Sequence, residues 1–127
     1  MSAAHGFALV TPERAPFVAW NPPLPAPEDV LEGRLTMQIA VIWRSLDGRN
    51  ATGYWRCEPV RIRLVQAFEE TLHLVAGHVS YEVPGRPVVH LHPGDSILLA
   101  KGEEATFEVH EPSMTFWAIF GDAPLEL

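Results

Sequence analysis

The sequence predicts an all-β fold, a barrel or sandwich in a single domain. Two observations lead to it. Short apolar and β-branched runs recur at near-regular spacing, each bounded by Gly, Pro, Asp or Glu. After residue 35 no stretch carries the period of an amphipathic helix, which leaves a sandwich or barrel to bury those runs. A chain of 127 residues suits one domain and buries enough surface for a core without staples.

The elements follow in order. Residues 1–35 form a proline-rich arm holding six of the twelve prolines, Pro12, Pro16, Pro22, Pro23, Pro25 and Pro27. Proline fixes φ and removes a donor, so this arm is expected as an extended strap, not a central strand or long helix. Phe7, Val10, Phe17, Val18 and Trp20 give it apolar anchors, and residues 27–32 suit one helical turn with acidic residues at its start. The barrel domain spans 36–127. Strands are expected at 37–43, 52–57, 60–65, 72–75, 79–83, 88–91, 97–99, 105–109 and 115–120. Turns fall at 46–50, Pro84-Gly85, His92-Pro93-Gly94-Asp95 and Ala100-Lys101-Gly102.

Composition narrows the function. A net charge of −7 and a pI near 5.2 argue against nucleic acid and against anionic membrane surfaces. The single cysteine, Cys57, cannot form an internal disulfide. The N-terminus shows no signal peptide, and no run reaches the length of a membrane helix. These features point to a cytoplasmic protein. No nucleophile elbow, phosphate-binding glycine loop or zinc-finger spacing is present.

Several residues in fixed order resemble the cupin superfamily. Glu70 and Gly77 have the spacing that ends the first cupin motif. Gly94-Asp95 and Gly102 have the separation of the second motif, with Ala100 in place of its turn proline. Gly53-Tyr54-Trp55-Arg56-Cys57-Glu58-Pro59, Pro93-Gly94-Asp95, Phe107-Glu108-Val109 and Trp117 resemble the small single-domain cupins of the ethanolamine-utilisation and ureidoglycine-aminohydrolase-like branch. The resemblance covers about residues 35 to 120. It implies a jelly roll (a double-stranded β-helix) and a homodimer.

The resemblance also shows what is missing. The two first-motif histidine positions fall on Arg63 and Val65, the second-motif histidine on Ala105 and its asparagine on Val109. Of the usual metal ligands only Glu70 remains, and a transition metal needs three or more converging donors. The expectation is therefore no metal and no other cofactor at the usual cupin position. Strand parity taken from the family points Arg61 and Arg63 inward opposite Glu70. They form there a buried ion pair or a pocket for a carboxylate or phosphate. Hydrophobic alternation gives the opposite parity, with Val60, Ile62 and Leu64 inward and both arginines in solvent. Both parities stay open at this point.

The candidate ligand-binding residues are Arg61, Arg63, Glu70, Tyr54 and Trp55, with Phe107, Phe116 and Trp117 as further aromatic lining. His90-x-His92 places two imidazoles on one face, and His73 or His78 could add a third ligand. His5 and His110 read as surface residues, and Cys57 as a buried inert thiol. Three functions are consistent with these features. The first is a metal-independent small-molecule-binding cupin. The second is an aminohydrolase-like or isomerase-like enzyme with a displaced metal on His73, His90 or His92. The third is a dimerisation module with a closed core.

Overall fold

A computed structural model describes residues 8–20 and 27–125. His5, Phe7, Pro22, Pro23 and Pro25 lie outside the described residues. Among the described residues nine strands run in chain order: β1 Val18–Ala19, β2 Val30–Gly33, β3 Gln38–Arg44, β4 Asn50–Cys57, β5 Val60–Val65, β6 Glu69–Glu82, β7 Val89–Leu91, β8 Ser96–Leu99 and β9 Glu104–Phe120. Two single-turn 3-10 helices, Pro12–Arg14 and Pro27–Asp29, accompany them among the described residues. Among the described residues no helix is long and apolar enough to cross a membrane.

The strands make two packed antiparallel layers joined by two long shared strands. Residues 113–120 of β9 pair with β4 on one side and with the first half of β6 on the other. The first layer is thus β1-β3-β4-β9-β6-β8. Residues 104–109 of β9 pair with β5, and the same half of β9 pairs with the second half of β6. The second layer is β2-β5-β9-β6-β7. This is the all-β jelly roll that the strand pattern predicts.

The passage from one layer to the other occurs at Gly77 and at Pro112-Ser113. The register of β6 on β9 shifts repeatedly between Leu74 and Val79, as bulges do where a strand turns a corner. Gly77 has φ +94, and a Cβ there would collide with Ser113 Oγ and the Pro112 carbonyl. Only glycine fits both constraints. The Ser113 hydroxyl stitches the corner, accepting from His78 N at 3.1 Å and donating to Glu111 O at 2.7 Å.

Two expected strand pairs are therefore single bent strands: 72–75 and 79–83 lie in β6, and 105–109 and 115–120 in β9. The helical turn expected over 27–32 is short. It stops at Asp29, and Val30–Gly33 continues as β2 because Val30 pairs with Ile62 across a sheet edge. Besides β2, the described parts of the arm hold to the domain through β1 and Phe17. β1 lies along β3, and the Phe17 ring sits 4.0 Å from the Arg56 guanidinium.

Alternation sets the inner face. Ile62, Leu72, Leu74, Val79, Tyr81, Leu91, Leu99, Ala105, Phe107, Val109, Trp117 and Ile119 are buried together with Ile39 and Trp55. Their neighbours in sequence point outward.

Candidate functional site

The inner faces do not close completely. A cavity of about 180 Å³ lies between the layers, walled by Ile39, Trp55, Ile62, Leu72, Phe107 and Trp117 among others. Its lining is nearly all apolar, and among the described residues Glu70 is its single carboxyl. Tyr81 and Gln66 add the other polar groups, with the Trp117 indole.

Each polar group is placed by its strand. Glu70 stands opposite Ile119 and Leu99, both inward-facing. Gln66 leaves β5 at the barrel mouth, where its backbone is tied to the loop before β9: Gln66 N donates to Glu103 O, and Gly102 N donates to Gln66 O. So held, the Gln66 amide donates to Glu70 Oε1 at 2.8 Å. That bond favours the carboxylate, but burial opposes it more strongly and pushes the Glu70 pKa from 4.5 up to about 7. Tyr81 is pushed up to about 12 by burial and by the charges of Glu103 and Glu70. The Tyr81 hydroxyl and the Trp117 indole N–H are buried without a hydrogen-bond partner. Trp117 fits because residue 53 is glycine: a Cβ there would stand 2.6 Å from the indole and collide with Ala40 O.

The inward parity for the two arginines is overturned. Val60 and Ile62 are buried and Leu64 lines the cavity, so Arg61 and Arg63 face away from it. Arg61 lies 3.8 Å from Glu108 and Arg63 3.6 Å from Asp29, both on the outer surface. Hydrophobic alternation decided the parity, since three apolar side chains gain more by burial than two guanidinium groups. Leu64, Val65 and Gln66 line the cavity with Glu70, so of the two first-motif histidine positions Val65 borders it and Arg63 does not. Ala105 is inward and buried as expected of its motif position.

Of the aromatic candidates, Trp55, Phe107 and Trp117 line the cavity and Tyr54 and Phe116 do not. Tyr54 packs edge-on against Phe116 at 5.5 Å on the opposite face of β4 and β9. Tyr81 and Gln66 were not singled out in the sequence. Tyr81 could have been found two residues after the inward Val79.

The lumen does not suit the metal that the cupin fold commonly holds. Among the described residues one carboxyl, one amide, a phenol and three indoles supply no imidazole and no thiolate, and an indole N–H is a donor only. Cys57 is buried elsewhere, its thiol donating to Glu58 O at 3.1 Å and its pKa raised by burial.

Histidines gather on the outer face of the second layer. His78 on β6, His90 on β7 and His110 on β9 bring one ring nitrogen each within 4.8 Å of one another. His78 Nε2 is 2.9 Å from His90 Nδ1. The His78 ring stacks on His110 at 4.3 Å and on His92 at 4.9 Å. Partial desolvation, then His110, His92 and His90, lower the His78 pKa. Of the two possible third ligands, His78 is in this group and His73 is not. His73 sits in the first layer, with Nδ1 2.9 Å from Ser96 Oγ. The surface reading of His110 misses its part in the cluster.

Comparison with known proteins follows the geometry. The family model described as EutQ-like cupin domain matches residues 44–115, more than half of the chain. The fold is similar to that of the EutQ protein of Clostridium difficile (TM-score 0.62, 16% identity, 74% of this chain and 77% of that one). It is also similar to a protein of unknown function from Rhizobium leguminosarum (TM-score 0.61, 20% identity, 72% and 85%). A third similar structure is a Pseudomonas syringae protein of unknown function (TM-score 0.75, 16% identity, 83% and 44%). A search of curated proteins found no match.

Proposed function

We propose that this protein, which belongs to the EutQ-like cupin domain family, is a metal-independent binding protein for a compact apolar molecule. The observation that carries the reading is the apolar lumen with one carboxyl at its wall. Its volume of about 180 Å³ is of the order of the ~150 Å³ cavity known to hold benzene. The ligand is therefore a single ring or a short branched chain with one polar group.

The polar group should be an amine or a hydroxyl. With Arg61 and Arg63 outside, a carboxylate or phosphate would meet Glu70 in the lumen and no cation, so the basis for an anionic ligand is gone. An ammonium group would pair with Glu70 and restore its ionised form. A hydroxyl would exchange with the Gln66 amide. The open cavity favours this reading over a closed dimerisation module. The lumen holds no nucleophile beside a base, which favours binding over catalysis.

Calorimetry with benzylamine, benzyl alcohol and benzoate tests it. Benzylamine should bind best and benzoate worst, and Glu70→Gln should remove the amine's advantage over the alcohol. Filling the lumen with Leu72→Trp should abolish binding of all three. Benzoate binding as tightly as benzylamine, or binding that survives the filled lumen in a folded variant, would overturn the proposal.

A further inference from the structure

Three imidazoles from three neighbouring strands converge outside the barrel, and the lumen reading makes no use of them. The pairing register explains why they meet. Val79 pairs with Leu91 and with Val109, all three inward, so their flanking residues share the outer face. Ser80 pairs with both His90 and Glu108, and Arg61 with Glu108, which draws one outward row across the second layer. His78 and His110 stand beside that row, brought together by the bulges between Leu74 and Val79.

We propose that His78, His90 and His110 bind a zinc-class divalent transition-metal ion on the outer face of the second layer. In a tetrahedral site, imidazole nitrogens about 2.0–2.1 Å from the ion lie roughly 3.3 Å apart. Here all three candidate ligand atoms lie within 4.8 Å of one another, and the His78–His90 pair is already at 2.9 Å. Small side-chain rotations close that gap. Three imidazoles with a fourth position open to water suit zinc, copper or nickel better than a hard cation.

The surroundings support ligation and not mere crowding. Glu108 Oε2 lies 3.4 Å from His110 Nδ1. A carboxylate on one ring nitrogen fixes the tautomer that offers the other to a metal. That other nitrogen, His110 Nε2, is 2.7 Å from the buried Ser80 hydroxyl, which covers the lone pair and can turn aside. Arg61 stands behind Glu108 at 3.8 Å and orients it. His90 and His110 are exposed, so an ion can enter without opening the fold. His92 stacks on His78, but its Nδ1 is turned to Asp95 at 3.9 Å, outside the ligating group.

The site is separate from the lumen, so it stands or falls apart from the binding function proposed above. Its test is a zinc titration of chelator-stripped full-length protein, with metal content measured after dialysis and the visible spectrum of the cobalt(II) form. One zinc per chain and a tetrahedral cobalt spectrum are expected. His90→Ala and His110→Ala should each weaken zinc binding roughly 100-fold, and Glu108→Gln roughly tenfold. His73→Ala should leave it unchanged. Circular dichroism confirms that the variants fold. Absence of saturable zinc binding, or zinc binding that survives the His90→Ala/His110→Ala double variant, overturns the proposal.

Discussion

The inner and outer faces of the second layer belong to the same strands and differ in almost every chemical respect. Val79, Tyr81, Phe107 and Val109 face the core, and Tyr81 and Phe107 line its nearly apolar cavity. His78, Ser80, Glu108 and His110 alternate with them and face outward as a polar, hydrogen-bonded patch. One step along either strand exchanges one face for the other. Among the described residues the lumen is lined by one carboxyl and no imidazole, while the outer face brings together imidazoles from three strands. Donor chemistry and barrel scaffold are thus separable.

If the inner face carries the packing, truncation there should cost far more than truncation outside. Trp117 is 3% exposed and spans the lumen wall against Gly53. Trp117→Ala should destabilise the protein by about 3–5 kcal/mol in urea denaturation. His90→Ala in the metal-free protein should change stability by no more than about 0.5 kcal/mol. A Trp117→Ala cost under about 1 kcal/mol would mean that the lumen is not packed as described.

The next effect separates the faces by pH. Glu70 has a folded pKa of about 7 against an ordinary 4.5. Between those values the folded state holds a proton that the unfolded state has released, so stability falls as pH rises through the window. Below it both states are protonated and the burial cost vanishes; above it both are ionised and the cost is complete. The loss should amount to about 2–3 kcal/mol, allowing for water in the lumen. Glu70→Gln should flatten this part of the curve and be more stable than the parent at pH 8. Parallel stability profiles for the two proteins between pH 4 and 8 would remove Glu70 from the buried wall.

How much of this was legible in the sequence differs between the faces. Period-two alternation in Val60-Arg61-Ile62-Arg63-Leu64 carried the correct parity, because burial of the apolar set is a local signal. Family parity placed Arg61 and Arg63 inward, since it counts positions and does not weigh side chains. Gly77 and Pro112 read as strand ends, yet bulges let the ladder run through both. Gly77 is fixed by a close approach of the partner strand, which sequence does not display. The histidine group depends on register among three strands. His90 announced itself by its spacing to His92, and His78 as one of two possible third ligands, whereas His110 joined them only through pairing.

The smallest expected effect belongs to the residues first placed in the lumen. The Arg63 side chain is 54% exposed and 3.6 Å from Asp29, where water and salt screen the pair. Arg63→Ala should alter stability by about 0.5 kcal/mol or less and leave benzylamine binding unchanged. Its aliphatic stem covers little, because Ile62 and Leu64 turn to the other side of β5, where they line the cavity. A lumen arginine would behave differently: its removal would leave Glu70 unpaired and shift the Glu70 titration. Measuring that titration in Arg63→Ala therefore tests the parity itself. An unchanged midpoint keeps the guanidinium on the outer face, and a raised one would return it to the barrel.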